Sequence, residues 1–359
     1  MGYAFEVGES VSEAVGRITA EQVERAVSGL EEATDHDVEE AVHDARKRAK
    51  KLRGLIRLVR PVIGGAYSPA NEMFRDAGRE LSAVRDAHAA LATFDDLVAA
   101  SPDLLPSGGL GGVRSGLAAL ADEATHADDR QARAERAAEL FREGRGHVTR
   151  AELDAEGWAA LAPGLEKTYR AGRRGLAGVV GEGGSDPVVV HEWRKRAKDT
   201  WYHVRLLCDA APSILDPLVD RFHGLSDALG DAHDLVVICD RLRGAPERFG
   251  GHGAVRAACE LAEVRRADLE ERAALLGARL YAEKPKAYTA RLEAYWQVWH
   301  DDGDEQPVGG LADVFPPSDD LDDLDLEQLR DRAGAAALPG RLFPAKADLI
   351  GDLRAAGAR

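Results

Sequence analysis

The chain has 359 residues, room for two domains or for one large domain with an appendage. Hydrophobic residues make up 45% of it, enough for a core, while charged residues at 31% interrupt every stretch before the ~18 apolar residues of a membrane span. The net charge of -16 repels polyanions from the average surface, so a polyanion site has to be a local concentration of Lys and Arg.

The opening MGYAFEVGES has neither a basic n-region nor an apolar h-region, and Glu6 stands where a myristoylation motif wants Ser or Thr. No leader or lipid anchor is expected there. Ser10 and Glu13 have capping-box spacing and should start a helix. Ala, Leu, Glu and Arg then dominate with apolar residues three and four apart, predicting helices over about 36–60, 69–100, 114–143, 161–180, 187–210, 214–243, 252–282 and 286–300. Breaks are expected at Pro61, Gly64-Gly65, Pro102 to Gly112, Pro163-Gly164, Gly181 to Pro187, Pro212 and Gly250 to Gly253. The pattern is all-α, helices on short loops forming a bundle. Cys208, Cys239 and Cys259 show no CxxC spacing and read as reduced structural thiols, which makes cytoplasm the expected address.

The chain repeats itself. VHDARKRAKKLRGLIRLVRP from Val42 aligns with VHEWRKRAKDTWYHVRLLCD from Val190, pairing His43 with His191, Arg46 with Arg194, Lys47 with Lys195, Lys50 with Lys198 and Arg57 with Arg205. LSAVRDAH at Leu81 aligns with LSDALGDAH at Leu225, pairing Asp86 with Asp231 and His88 with His233. Two similar helical halves facing each other about a pseudo-two-fold axis are expected, over about 5–180 and 187–300.

On a wheel advancing about 100° per residue, Arg46, Lys47, Lys50 and Arg57 fall within roughly 60° of His43. Ala45, Ala49, Leu52, Ile56 and Val59 form the opposite face. The second copy puts His191, Arg194, Lys195, Lys198, Tyr202 and Arg205 in the stripe and Trp193, Ala197, Thr200, Val204 and Leu207 behind it. A solvated charged face mixes signs to gain i,i+4 pairs, whereas Asp44 is the one acid in residues 42–60. Such a row of cations calls for a compensating anion. A third group, Lys167, Arg170, Arg173 and Arg174 around Tyr169, has helical spacing and is a further candidate beside the bland reading of a basic helix end. Lys284, next to Pro285 in YAEKPKAY, is a weaker one.

The matched histidines His43, His88, His191 and His233 could be metal ligands, but Lys195 stands where HExxH needs its second His, and neighbouring cations disfavour a divalent ion. Hydrogen bonding to anionic oxygens, or a place in the core, suits them better, with Asp86 and Asp231 orienting the bases. The sequence has no GxxxxGK[ST], GxGxxG or GxSxG segment, so no nucleotide loop, nucleophile or cofactor is expected and no catalysis is assigned.

The segments VHDARKRAKKLR, VHEWRKRAKDTWY, LSAVRDAH, LSDALGDAHDL, TYRAGRRGL and RLYAEKPKAY make residues 5–300 resemble the conserved histidine α-helical domain (CHAD) family. The resemblance implies two pseudo-symmetric helical-bundle halves around a basic central cavity, inorganic polyphosphate as ligand, association with polyphosphate granules and no established catalysis. Its motif falls on His43, Arg46, Lys47, Lys50 and Arg53, and on His191, Arg194, Lys198 and Tyr202. The sequence departs from it where Trp201 replaces an expected base and where Gly230 stands opposite Arg85.

From about residue 301 the chain turns acidic and rich in Pro and Gly, a linker over about 301–320. The remainder, 321–359, resembles the SAP-like N-terminal module of the Rho termination factor through LEQLRDRA, LPGR and KADLI, which implies nucleic-acid contact as a rival function.

Overall fold

A computed structural model of the chain describes residues 2–34, 37–102, 110–125, 129–181 and 186–301. The regular structure there is helical: α1 (Val11–Glu32), α2 (Val38–Leu58), α3 (Tyr67–Glu80), α4 (Ser82–Ala99), α5 (Gly111–Thr125), α6 (Arg130–Thr149), α7 (Trp158–Val180), α8 (Pro187–Leu206), α9 (Pro212–Gly244), α10 (Gly251–Leu280) and α11 (Pro285–Asp301). No helix among the described residues is long and apolar enough to cross a membrane. Residues 302–359, where the acidic linker and a SAP-like module are expected, lie outside the described residues.

The capping box forms as expected, with Ser10 and Glu13 each bonding the other's backbone N–H, at 2.9 Å and 3.2 Å. Those bonds to its charged form hold the Glu13 carboxyl below its usual value. Residues 1–300 make one compact unit. Within it α1, α2, α3 and α6 pack in a ring as one bundle, and α7, α8, α9 and α10 pack as a second. The two matched segments are therefore the second helix of each bundle, α2 and α8.

Three expectations need correction. The span expected over 69–100 is two helices meeting at Leu81, and that expected over 114–143 is α5 and α6. The first break has a packing cause. Phe74, Ala77 and Leu81 belong to the main core, while Ala90, Phe94 and Leu97 belong to a second core built with α5, α9 and α10. The counterpart α9 crosses between the same two cores unbroken over 33 residues. Finally, Pro163-Gly164 does not break α7. A Cβ on Gly164 would lie 1.7 Å from the Leu58 carbonyl oxygen, so this dipeptide marks where α7 presses on the end of α2.

The apolar backs read from the wheel are interior. Ala45, Ala49, Leu52, Ile56 and Val59 of α2 and Trp193, Ala197, Thr200, Val204 and Leu207 of α8 are all buried. The two helices also pack on each other, at positions that match in the repeat. A Cβ on Gly54 would stand 2.8 Å from the Cβ of its counterpart Tyr202, and His203 Nε2–H donates to the Gly54 carbonyl at 3.1 Å. That imidazole is fully enclosed, and burial beside Arg57 pushes its pKa down to about 3, so it stays neutral.

Candidate functional site

Beside this crossing, α2 and α8 form two walls of a cavity of about 560 Å³ whose other walls are α4 and α9. α2 contributes Arg46, Lys50, Arg53 and Arg57; α8 contributes Arg194, Lys195, Arg196, Lys198, Asp199 and Tyr202. α4 adds Asp86, and α9 adds His233 and Asp234. Eight Lys and Arg side chains thus face three Asp, in a protein whose net charge is -16. A smaller recess of about 330 Å³ shares Arg46, Lys50 and Arg53 and brings in Arg75 and Arg79 of α3.

Some of these cations are balanced. Arg46 bonds Asp86 at 3.2 Å and the Gly78 carbonyl at 3.2 Å, so Asp86 orients a base as expected. Lys195 pairs with Glu192. Arg57 and Arg196 share Asp199, at 3.4 and 3.1 Å. Burial raises the Asp199 carboxyl, and Arg57, Arg196 and Arg53 pull it back down.

Others are not. Among the described residues, Arg53, Arg194 and Lys198 make no ion pair. Arg53 has only the Asn71 amide oxygen at 3.1 Å. Arg194 Nε is buried without a hydrogen-bond partner; its guanidinium lies over Gly230, where a Cβ would be 3.6 Å from Nε. Burial first, then Arg194, pushes the Lys198 ammonium below the ordinary lysine value. Burial and then Arg57 do the same to Arg53. Half-buried cations without an ion-pair partner cost stability, and an anion placed among them would offset that cost.

The two histidine pairs part company. His191 and His233 lie with ring centres 4.4 Å apart, and His191 Nδ1 is buried without a partner. Burial, then Arg194 and His191, lowers His233 to about 4; burial and then Lys195 lower His191. Both are neutral near pH 7. His88 Nε2 is 2.8 Å from the Thr125 hydroxyl and does not line the cavity, and His43 is exposed outside the lining. Among the described residues no group of three His, Cys, Asp or Glu side chains is placed to hold a metal ion.

Several other candidates also lie outside the lining. Lys47 is exposed. Arg205 lies 6.0 Å from the Trp201 ring centre. In the α7 group Arg170 pairs with Glu166 at the surface, Arg173 donates to the Glu283 carbonyl at 2.9 Å, and the Tyr169 ring stacks on Tyr288 at 3.9 Å. Lys167 and Arg174 are exposed on that helix, as is Lys284 before α11. Among the described residues Asp231 makes no ion pair; burial and then Asp227 and Asp234 raise its carboxyl. The Arg85 side chain lies outside the described residues. Sequence reasoning missed Arg196 and Asp199, both off the cationic stripe, although Asp199 was legible as the acid replacing Lys51 in the repeat.

No match emerges from comparison with curated proteins. The CHAD domain family matches residues 17–243, from within α1 to the end of α9. That span is well over half of the chain and contains every residue lining the cavity, so the chain belongs to the CHAD-domain family.

Proposed function

We propose that the cavity binds inorganic polyphosphate, without hydrolysing it. The observation that carries this reading is the set of half-buried cavity cations without an ion-pair partner among the described residues, Arg53, Arg194 and Lys198, contributed by both halves. A flexible chain of phosphates can enter a cavity of about 560 Å³ that is too small for a bulky duplex, and the acidic exterior confines binding to the interior. Arg supplies forked contacts to phosphate oxygens while Lys acts as a compact charge. Each phosphate neutralised releases bound counterions, so affinity falls as salt rises. Nothing in the lining pairs a nucleophile with a base, so phosphate release in the presence of magnesium is expected to stay at background.

The test is a titration against long-chain polyphosphate, triphosphate, single-stranded DNA and RNA at two salt concentrations. Polyphosphate should bind tightest. Lys50→Glu together with Lys198→Glu should abolish binding and leave the helical circular dichroism intact. Unchanged affinity in the folded double variant would refute the placement.

A further inference from the structure

The contact of Gly54 with Tyr202 joins residues that are each other's counterparts in the repeat. A two-fold relation through that contact also exchanges Arg57 with Arg205 and Asp199 with Lys51. On one side of the crossing, Arg57 of α2 meets the Asp199 carboxylate of α8 at 3.4 Å. On the other, the pairing by counterparts sets Arg205 of α8 against Lys51 of α2, a cation in the place of the carboxylate, and the Arg205 charge is felt at Lys51.

That substitution leaves visible strain. Burial, then the charges of Arg205, Arg48 and Lys47, push the Lys51 ammonium down to about 8. Asp44 opposes them, but it is already paired with Arg48 at 2.5 Å. Among the described residues neither Lys51 nor Arg205 makes an ion pair. Aromatic rings hold them instead. Lys51 Nζ lies 5.4 Å from the Tyr3 ring centre and Arg205 Cζ 6.0 Å from that of Trp201, while the Tyr202 ring lies between, 5.8 Å from Tyr3 and 4.6 Å from Trp201. The Tyr3 hydroxyl also donates to the Lys51 carbonyl at 2.8 Å. Both cations are partly exposed, and neither lines the cavity.

We propose that Lys51 and Arg205 form a second oxyanion site, outside the cavity, in which a phosphoryl oxyanion takes the place that the Asp199 carboxylate fills on the other side of the crossing. The charge count favours this class. Two unpaired cations are neutralised by one doubly charged tetrahedral anion, whereas a carboxylate neutralises one. The planar Arg205 fork offers paired N–H donors to two phosphate oxygens and Lys51 reaches a third. The anion is either free orthophosphate or two neighbouring, singly charged phosphoryl groups of a chain passing outside the cavity.

The test follows Lys51 directly, by ¹³C NMR of the reductively methylated full chain, with the Lys51 resonance assigned by its loss in Lys51→Arg. In phosphate-free buffer it should titrate near 8. Orthophosphate or long-chain polyphosphate should move it up toward the ordinary lysine value, and acetate should not. The same titrations in Lys198→Met separate this site from the cavity. A response to orthophosphate retained there marks a free-anion site. A response to polyphosphate alone, lost there, marks a chain continuing from the cavity. Lys51→Asp supplies the carboxylate that the symmetry lacks; it should raise the melting temperature in phosphate-free buffer and diminish the increment that phosphate gives the parent, leaving the part contributed by the cavity. A Lys51 titration indifferent to both anions, or a phosphate increment intact in Lys51→Asp, would overturn the proposal.

Discussion

Lys198 is where binding and stability should be set against each other. It lines the cavity without an ion pair, and its ammonium sits below the ordinary lysine value because burial and Arg194 outweigh Asp227, Asp234 and Asp199. A lysine whose folded pKa is lowered works against folding wherever it is charged in both states. At pH 7 that penalty is present in full, and stability rises as pH climbs through the folded pKa toward the unfolded value of about 10.4. Lys198→Met keeps the stem and removes the charge. The unliganded variant should therefore be more stable than the parent and melt at a higher temperature. Polyphosphate loses one charge-assisted contact of about 1.5–3 kcal/mol, so affinity should drop roughly 10–150-fold. The slope of log affinity against log salt should shrink by about one contact's worth, roughly 0.7–0.9. Thermal melts without ligand and titrations at two salt concentrations read both arms. A variant that melts below the parent and binds polyphosphate equally well would refute the idea that Lys198 is held in strain for an anion.

Gly54→Val should drive α2 and α8 apart, because even a Cβ meets Tyr202 at 2.8 Å; a loss of about 1–3 kcal/mol in urea unfolding, with weakened polyphosphate binding, is expected. Acidification should destabilise the unliganded fold between about pH 6.5 and 4, since unfolded histidines take up protons that His233, lowered to about 4, and His203, lowered to about 3, refuse. His203→Leu, which installs the residue found at its counterpart Leu55, should flatten part of that acid slope in urea titrations. Bound polyphosphate should raise the His233 pKa, read by NMR; an unchanged value would place the anion away from α9. Removing residues 310–359 should leave polyphosphate affinity unchanged, while a gel shift with single-stranded nucleic acid that vanishes on truncation would assign the tail its own binding role.

Much of the site was legible because two copies of one helix carry the same pattern. Repetition separated Arg46, Lys50, Arg194 and Lys198 from ordinary surface charge, and the helical period placed the apolar backs in the core. The period could not say where a stripe ends. Arg205 and Lys47 share the angular sector of the lining residues but sit too far along or around the helices to reach the cavity. Averaging the copies also hid their differences, so Asp199 went unnoticed as the hub of Arg57 and Arg196. The α7 bases show the limit of spacing alone: Arg173 is spent on the Glu283 carbonyl, a tertiary contact 110 residues away. The break at Leu81 was invisible because residues on both sides favour helix, and only the change of core beneath them bends the chain.

The near-equivalence of α2 and α8 bears on orientation. A groove walled by duplicate helices offers an incoming polymer much the same footing whichever end leads. Nucleic acids have a head and a tail and would forfeit half of that offer; a uniform string of phosphates has neither. Where the walls disagree, with Asp199 on the α8 wall and only cations on the α2 wall, the groove acquires a direction of its own, so a featureless ligand would be seated asymmetrically by its host.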